Sequence, residues 1–139
     1  MTEADLWKKV KSAWNETHSV RIESASSFGL HDINTCYQGI EFWTELKIAH
    51  GNYFTLQPSQ LAWTVNRLKS GAKNLFILLG DEKNATVTIY KSSELLRIGV
   101  LQSQNTVLKA SFKNMEMLDT SILAPQGLRY LLNKIMFTF

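Results

Sequence analysis

The run Glu41-Phe-Trp-Thr-Glu45-Leu-Lys47 restricts the fold of this chain more than any other segment. Extended backbone alternates its side chains, so Glu45 and Lys47 share one face with Trp43, and Leu46 takes the other. A face that carries a tryptophan beside two charges is not a fully solvated edge. Asp32–Tyr37 precedes this run across Gln38-Gly39, and the two segments read as a β-hairpin. Asp32 and Glu45 then stand on neighbouring strands.

The flanking segments supply a sheet and its cover. Thr2 and Asp5 form a capping box for a helix in which Leu6, Val10, Ala13 and Trp14 recur at helical spacing, ending near Glu16–His18. Ser19–Glu23 reads as a short strand, residues 24–29 as a loop of small residues, and His50-Gly-Asn52 as a turn. Pro58 opens a second helix that Gly71 stops, with Leu61, Val65 and Leu68 as its buried stripe and Gln60, Thr64 and Arg67 elsewhere. Asn74–Leu79 has the composition of a central strand, and Thr86–Tyr90 alternates like a half-exposed one. Ser92 or Ser93 caps a short helix, residues 99–120 show no clear period, and Pro125 opens a last helix carrying Leu128, Leu131, Leu132, Ile135 and Met136. The expectation is an α/β fold, a central mixed sheet flanked by helices, with a C-terminal helical segment over about 121–139. A chain of 139 residues has room for one core and not for two, so residues 1–139 read as one domain.

Composition narrows the function classes. No apolar run reaches membrane-spanning length, and Met1-Thr-Glu-Ala-Asp-Leu-Trp-Lys-Lys reads as a helix start and not as a secretory signal. Cys36 is the single cysteine, which excludes an internal disulfide and a cysteine zinc site. It reads as a small core residue of a protein in a reducing cytoplasm. His18 and His50 read as solvated turn residues, and no histidine pair has zinc-ligand spacing. A net charge of +3 permits a polyanionic partner without demanding one.

The hairpin carries the chemistry. Asp32 and Glu45 are placed to converge on one divalent cation, and Mg²⁺ takes one or two carboxylates while keeping several waters. Such an ion lowers the pKa of a bound water and neutralises charge building on a phosphate. Lys47, on the same face as Glu45, orients a nucleophile or stabilises the transition state. Glu23 offers a third carboxylate, with Glu16 of the first helix as the alternative.

Asp32, followed by Glu45-Leu-Lys47 at a strand end, resembles the PD-(D/E)xK nuclease superfamily. Gly29-Leu-His-Asp32 stands where that family often has Gly-x-Pro-Asp, and Arg21-Ile-Glu23 matches its early acidic residue. Leu56-Gln-Pro-Ser-Gln60, with Trp63 beyond it, is similar to the segment after the lysine strand in Holliday-junction-resolvase-like and VRR-type members. The similarity spans about residues 20–80. It implies a restriction-endonuclease-like core and a site in which Asp32, Glu45 and the Leu46 carbonyl hold Mg²⁺ or Mn²⁺. It also implies Lys47 as the catalytic lysine, completed by Glu23 and Gln60. His31 replaces the family's proline and is a candidate for contact with DNA or the scissile phosphate.

The expected activity is metal-dependent hydrolysis of DNA. Arg21, Lys8, Lys11 and Arg67, with His31, are the candidate DNA contacts. A domain of this size has no separate sequence-reading module, so it is expected to read DNA shape, branched DNA above all. Cutting two symmetric strands of a four-way junction needs two sites, hence a homodimer. The compact chain suggests a phage origin and the bacterial host cytoplasm. Alternatives are a nicking, homing-type or general endonuclease acting on duplex or single-stranded DNA, and a catalytically inactive DNA-binding protein. The apolar Met136-Phe-Thr-Phe139 is expected to dock on the core or on a second subunit.

Overall fold

The computed structural model describes residues 1–22, 31–102 and 107–139, residues 101 and 102 by backbone alone. Helix α1 spans Glu3–Ala13. The Asp5 amide donates to the Thr2 hydroxyl at 3.1 Å and the Thr2 amide donates to the Asp5 carboxylate at 2.8 Å. This capping box satisfies amides that a helix start leaves unpaired. The helix ends sooner than its spacing suggests, because Trp14 leaves helical geometry and its carbonyl accepts from both the amide and the hydroxyl of Thr17.

Strands β1 (His18–Arg21), β2 (Ile33–Tyr37) and β3 (Ile40–Ile48) follow. The expected hairpin joins β2 to β3, with Gln38 at φ 51° and Gly39 at φ 77°. Both residues in the left-handed region make the two-residue turn whose twist matches the strands. After β4 (Tyr53–Leu56) and α2 (Pro58–Lys69) come β5 (Leu75–Asp81), β6 (Thr86–Lys91) and the short helix α3 (Glu94–Ile98). The chain continues through β7 (Leu101–Gln102), β8 (Leu108–Ser111) and β9 (Asp119–Ile122) to α4 (Pro125–Met136).

Six strands form the main sheet in the order β1-β2-β3-β5-β6-β9, parallel only between β3 and β5. The connection between that parallel pair carries β4 and α2, as a parallel crossover requires. Leu75 to Gly80 of β5 are all buried, the run expected of a strand covered on both faces. On one face Leu6 and Val10 of α1, Trp14 just after it, and Leu128, Leu131 and Ile135 of α4 pack against Phe42, Leu46, Phe76 and Leu78. On the other, Ile77, Leu79 and Tyr90 meet Phe54 and Leu56 of β4, Leu95 of α3 and Ala110 of β8. The mixed α/β sheet is as expected, but its second face is covered by helices together with a three-stranded sheet, β4-β8-β7. Among the described residues no helix is long and apolar enough to cross a membrane.

Three local readings are corrected. Thr64 is the buried residue of α2, whereas Leu61, Val65 and Leu68 are half-buried. Cys36 is exposed and not part of the core. The segment before the last helix is the edge strand β9, with α4 confined to Pro125–Met136. At the C-terminus Phe139 lies 6.4 Å from the Phe42 ring and 6.1 Å from the Phe76 ring, while Phe137 is exposed.

Candidate active site

The site forms where β2 and β3 part. Their pairing begins at Ile33–Thr44, so Leu46, beyond that pair, has no β2 residue opposite it. The β5 partner takes the other edge of β3, through the Trp43 and Ala49 amides. Backbone groups alternate sides along a strand, so the N–H and C=O of Leu46 face the gap. Asp32, in the bend before β2, fills it: the Leu46 amide donates to Asp32 Oδ2 at 2.9 Å. Burial pushes the Asp32 carboxyl above its ordinary range, and the Leu46 hydrogen bond works against that shift.

Glu45 and Lys47 lie opposite Ile77 and Leu79 of β5 and are both buried. Burial, followed by the Asp32 charge, pushes the Glu45 carboxyl up to about 8, with Lys47 opposing. Gln60, in the first turn of α2, ties the pair together. Its Nε2 donates to Glu45 Oε1 at 2.7 Å, and its Oε1 accepts from Lys47 Nζ at 3.0 Å and from the Gln57 amide at 2.9 Å. Reversing the amide would set its NH₂ against two donors, so the network fixes its orientation. Lys47 Nζ also lies 3.4 Å from Glu45 Oε1 and 3.7 Å from Glu3 Oε1.

Glu45 Oε2 is buried without a hydrogen-bond partner among the described residues. A buried carboxylate oxygen in that state, beside a second carboxylate with a raised pKa, fits a site that takes a cation. Asp32, Glu45 and the Leu46 carbonyl are the groups that would hold it. Among the described residues no three His, Cys, Asp or Glu side chains form a ready metal cluster. Two carboxylates and one carbonyl suit an ion that keeps waters, such as Mg²⁺. A cavity of about 290 Å³ opens beside Lys47, bordered by Glu3, His50 and Thr55.

Asp32, Glu45, Lys47 and Gln60 are thus brought together as the sequence suggests. Glu23 lies outside the described residues. Glu16 does not replace it: its carboxylate accepts the Tyr37 hydroxyl at 3.5 Å, at the opposite end of α1 from Glu3. Lys8, Lys11 and Arg67 are exposed, and Arg21 is half-buried near enough to Asp32 to oppose its rise in pKa. His31, a candidate for contact with DNA or the scissile phosphate, is 1% exposed. Burial, aided by Lys47, drives its pKa down to about 3, so the ring is neutral.

Two site residues escaped the sequence reading. Glu3 reaches Lys47 from the first turn of α1, where an acidic residue is ordinary and carries no signal of its own. Ser92 is buried against His31, a pairing across 61 positions that no local pattern announces.

No family model and no curated protein matches the sequence. Among solved structures the chain is similar to Hjc, a Holliday junction resolvase of Archaeoglobus fulgidus, at 15% identity and a TM-score of 0.49, over 80% of this chain and 81% of that one. It is also similar to the bacterial homing endonuclease I-Ssp6803I at 11% identity and a TM-score of 0.46, over 98% of this chain and 90% of that one.

Proposed function

We propose that residues 1–139 form one restriction-endonuclease-like domain that hydrolyses DNA phosphodiesters with Mg²⁺ or Mn²⁺. The observation that carries this reading is the convergence of Asp32, Glu45, Lys47 and Gln60 where β2 and β3 part. A cation bound there supplies a water of lowered pKa and neutralises charge developing on the phosphate. Asp32 and Glu45 bind it, helped by the Leu46 carbonyl. Lys47, held by Gln60 and Glu45, presents an ammonium to the attacking water or the pentavalent phosphate. Water attacks phosphorus and the 3′-oxygen leaves, giving a 5′-phosphate end. Glu3 steadies Lys47 from the other side. Glu23 remains a candidate for a further carboxylate.

Branched DNA, the four-way junction first, is the substrate this reading favours. The exposed Lys8, Lys11 and Arg67, with Arg21, are the proposed phosphate contacts. Symmetric cutting of a junction calls for a homodimer. The experiment is cleavage of end-labelled four-way junction, matching linear duplex and single-stranded DNA with Mg²⁺ or Mn²⁺. Paired symmetric nicks on the junction alone support a resolvase. Cutting of all three substrates replaces it with a general endonuclease. Junction binding without cutting of any substrate overturns the enzymatic reading.

A further inference from the structure

His31 is held on several sides. Its Nε2 lies 2.8 Å from Ser92 Oγ, its ring packs at 4.9 Å on Trp63, and Trp63 is edged by Trp43 at 5.8 Å. The other nitrogen, Nδ1, is buried with no hydrogen-bond partner among the described residues. It lies 3.7 Å from Glu45 Oε2, another buried atom in that state. Buried polar atoms are nearly always paired, so two unpaired ones aimed at each other mark a contact the protein can close. The 3.7 Å separation lies about half an ångström beyond hydrogen-bond range.

We propose that His31 is a positioning residue for the cation site, donating Nδ1–H to Glu45 Oε2 while Ser92 donates its hydroxyl proton to Nε2. The inference rests on Glu45 being a cation ligand. Carboxylates that bind metal are themselves held by hydrogen bonds, and those partners set the direction of the ligand oxygens. Glu45 is then fixed at both oxygens, Oε1 by Gln60 and Oε2 by His31. The Ser92 hydroxyl, just after β6, can donate to Nε2 or accept from it, and in the proposed arrangement it donates, which leaves the ring proton on Nδ1.

Two measurements on the full chain test this. The first is long-range ¹H–¹⁵N NMR of the histidine rings in the native protein with Mg²⁺. His31 is expected as the Nδ1–H tautomer; the Nε2–H tautomer overturns the proposal. The second is Mn²⁺ affinity by calorimetry for native protein, His31→Asn, His31→Gln and His31→Phe, each checked for native near-ultraviolet circular dichroism. Asparagine places an amide near the Nδ1 position and is expected to stay within about threefold of native. Glutamine and phenylalanine are expected to weaken Mn²⁺ about 10-fold or more. Equal affinity in all four proteins overturns the role of His31 and leaves the cation site standing. Absence of Mn²⁺ binding by the native chain overturns both readings, and is seen before any variant is made.

Discussion

The Asp32 carboxylate accepts the Leu46 amide at 2.9 Å, beyond the point where the ladder between β2 and β3 has ended. A side chain thus completes the edge of a strand that its neighbour has left. One Asp32 oxygen is anchored in this way, and the Leu46 carbonyl is turned to the same gap. In the proposed reading, the separation of the two strands opens the place where a cation would sit.

Metal should stabilise this protein by mass action. At about a hundredfold excess over Kd, Mn²⁺ adds about 2.7 kcal/mol, which is about 5–10 °C in Tm for a domain of this size. Thermal melts at neutral pH are expected to show this rise in native protein and to lose it in Asp32→Asn and Glu45→Gln. An equal rise in all three proteins would place the ion elsewhere.

The metal-free protein should have an asymmetric pH profile. Glu45 ordinarily titrates near 4.5 and is raised to about 8 in the fold, so the folded state holds an extra proton and stability falls as pH rises through that interval. His31 ordinarily titrates near 6.5 and is lowered to about 3, so stability falls as pH drops through that lower interval. The two oppose each other between about 4.5 and 6.5, where the raised Asp32 adds to the Glu45 side, and above about 6.5 His31 no longer offsets Glu45. Melts without metal are expected to decline from about pH 6.5 to 8. Glu45→Gln should flatten that decline, and saturating Mn²⁺, which requires the deprotonated ligand, should reverse it.

Gln60 ties Lys47 to Glu45, so in the proposed mechanism its loss should act on turnover as well as on folding. Gln60→Ala is expected to lower single-turnover cleavage about 10- to 100-fold, with a stability loss of about 1–3 kcal/mol from the buried partners it leaves unpaired. Gln60→Glu places a carboxylate against buried Glu45 and should be worse, unless Lys47 pairs with both. A rate unchanged in Gln60→Ala would leave the residue only a helix-turn role.

Gly127 is required by packing. A Cβ added there would run into the Ile122 carbonyl, where α4 crosses β9. Gly127→Ala should therefore displace α4, whose neighbouring Leu128 carbonyl accepts Trp14 Nε1 at 2.9 Å. Urea unfolding is expected to show a loss of about 1–3 kcal/mol, with cleavage retained at low temperature.

Much of this site was legible because it is built on periodicity. Alternation placed Glu45 and Lys47 on one face, the Gln38-Gly39 turn set the register beside β2, and Pro58 positioned Gln60 in a first helical turn. The parts that were not legible depend on distance in sequence. Ser92 meets His31 only after β3, β4, α2, β5 and β6 are assembled. Thr64 is buried because its hydroxyl can donate to the Gln60 carbonyl, at 2.8 Å, where α2 covers the polar site. Strands β7 to β9 run two to four residues each, too short for a period to emerge. Cys36 stands on a β2 position paired with His18 of the edge strand β1. Its side chain is exposed there, so a small apolar residue signalled no core position.

The most direct test of the account is Mg²⁺- or Mn²⁺-dependent cleavage of a labelled four-way junction by native protein, Lys47→Ala and Asp32→Ala, with the product ends analysed. Native protein is expected to cut and leave 5′-phosphate ends, with both variants slower by about a thousandfold while still binding the junction. Cleavage at native rates by both variants would contradict the site described here.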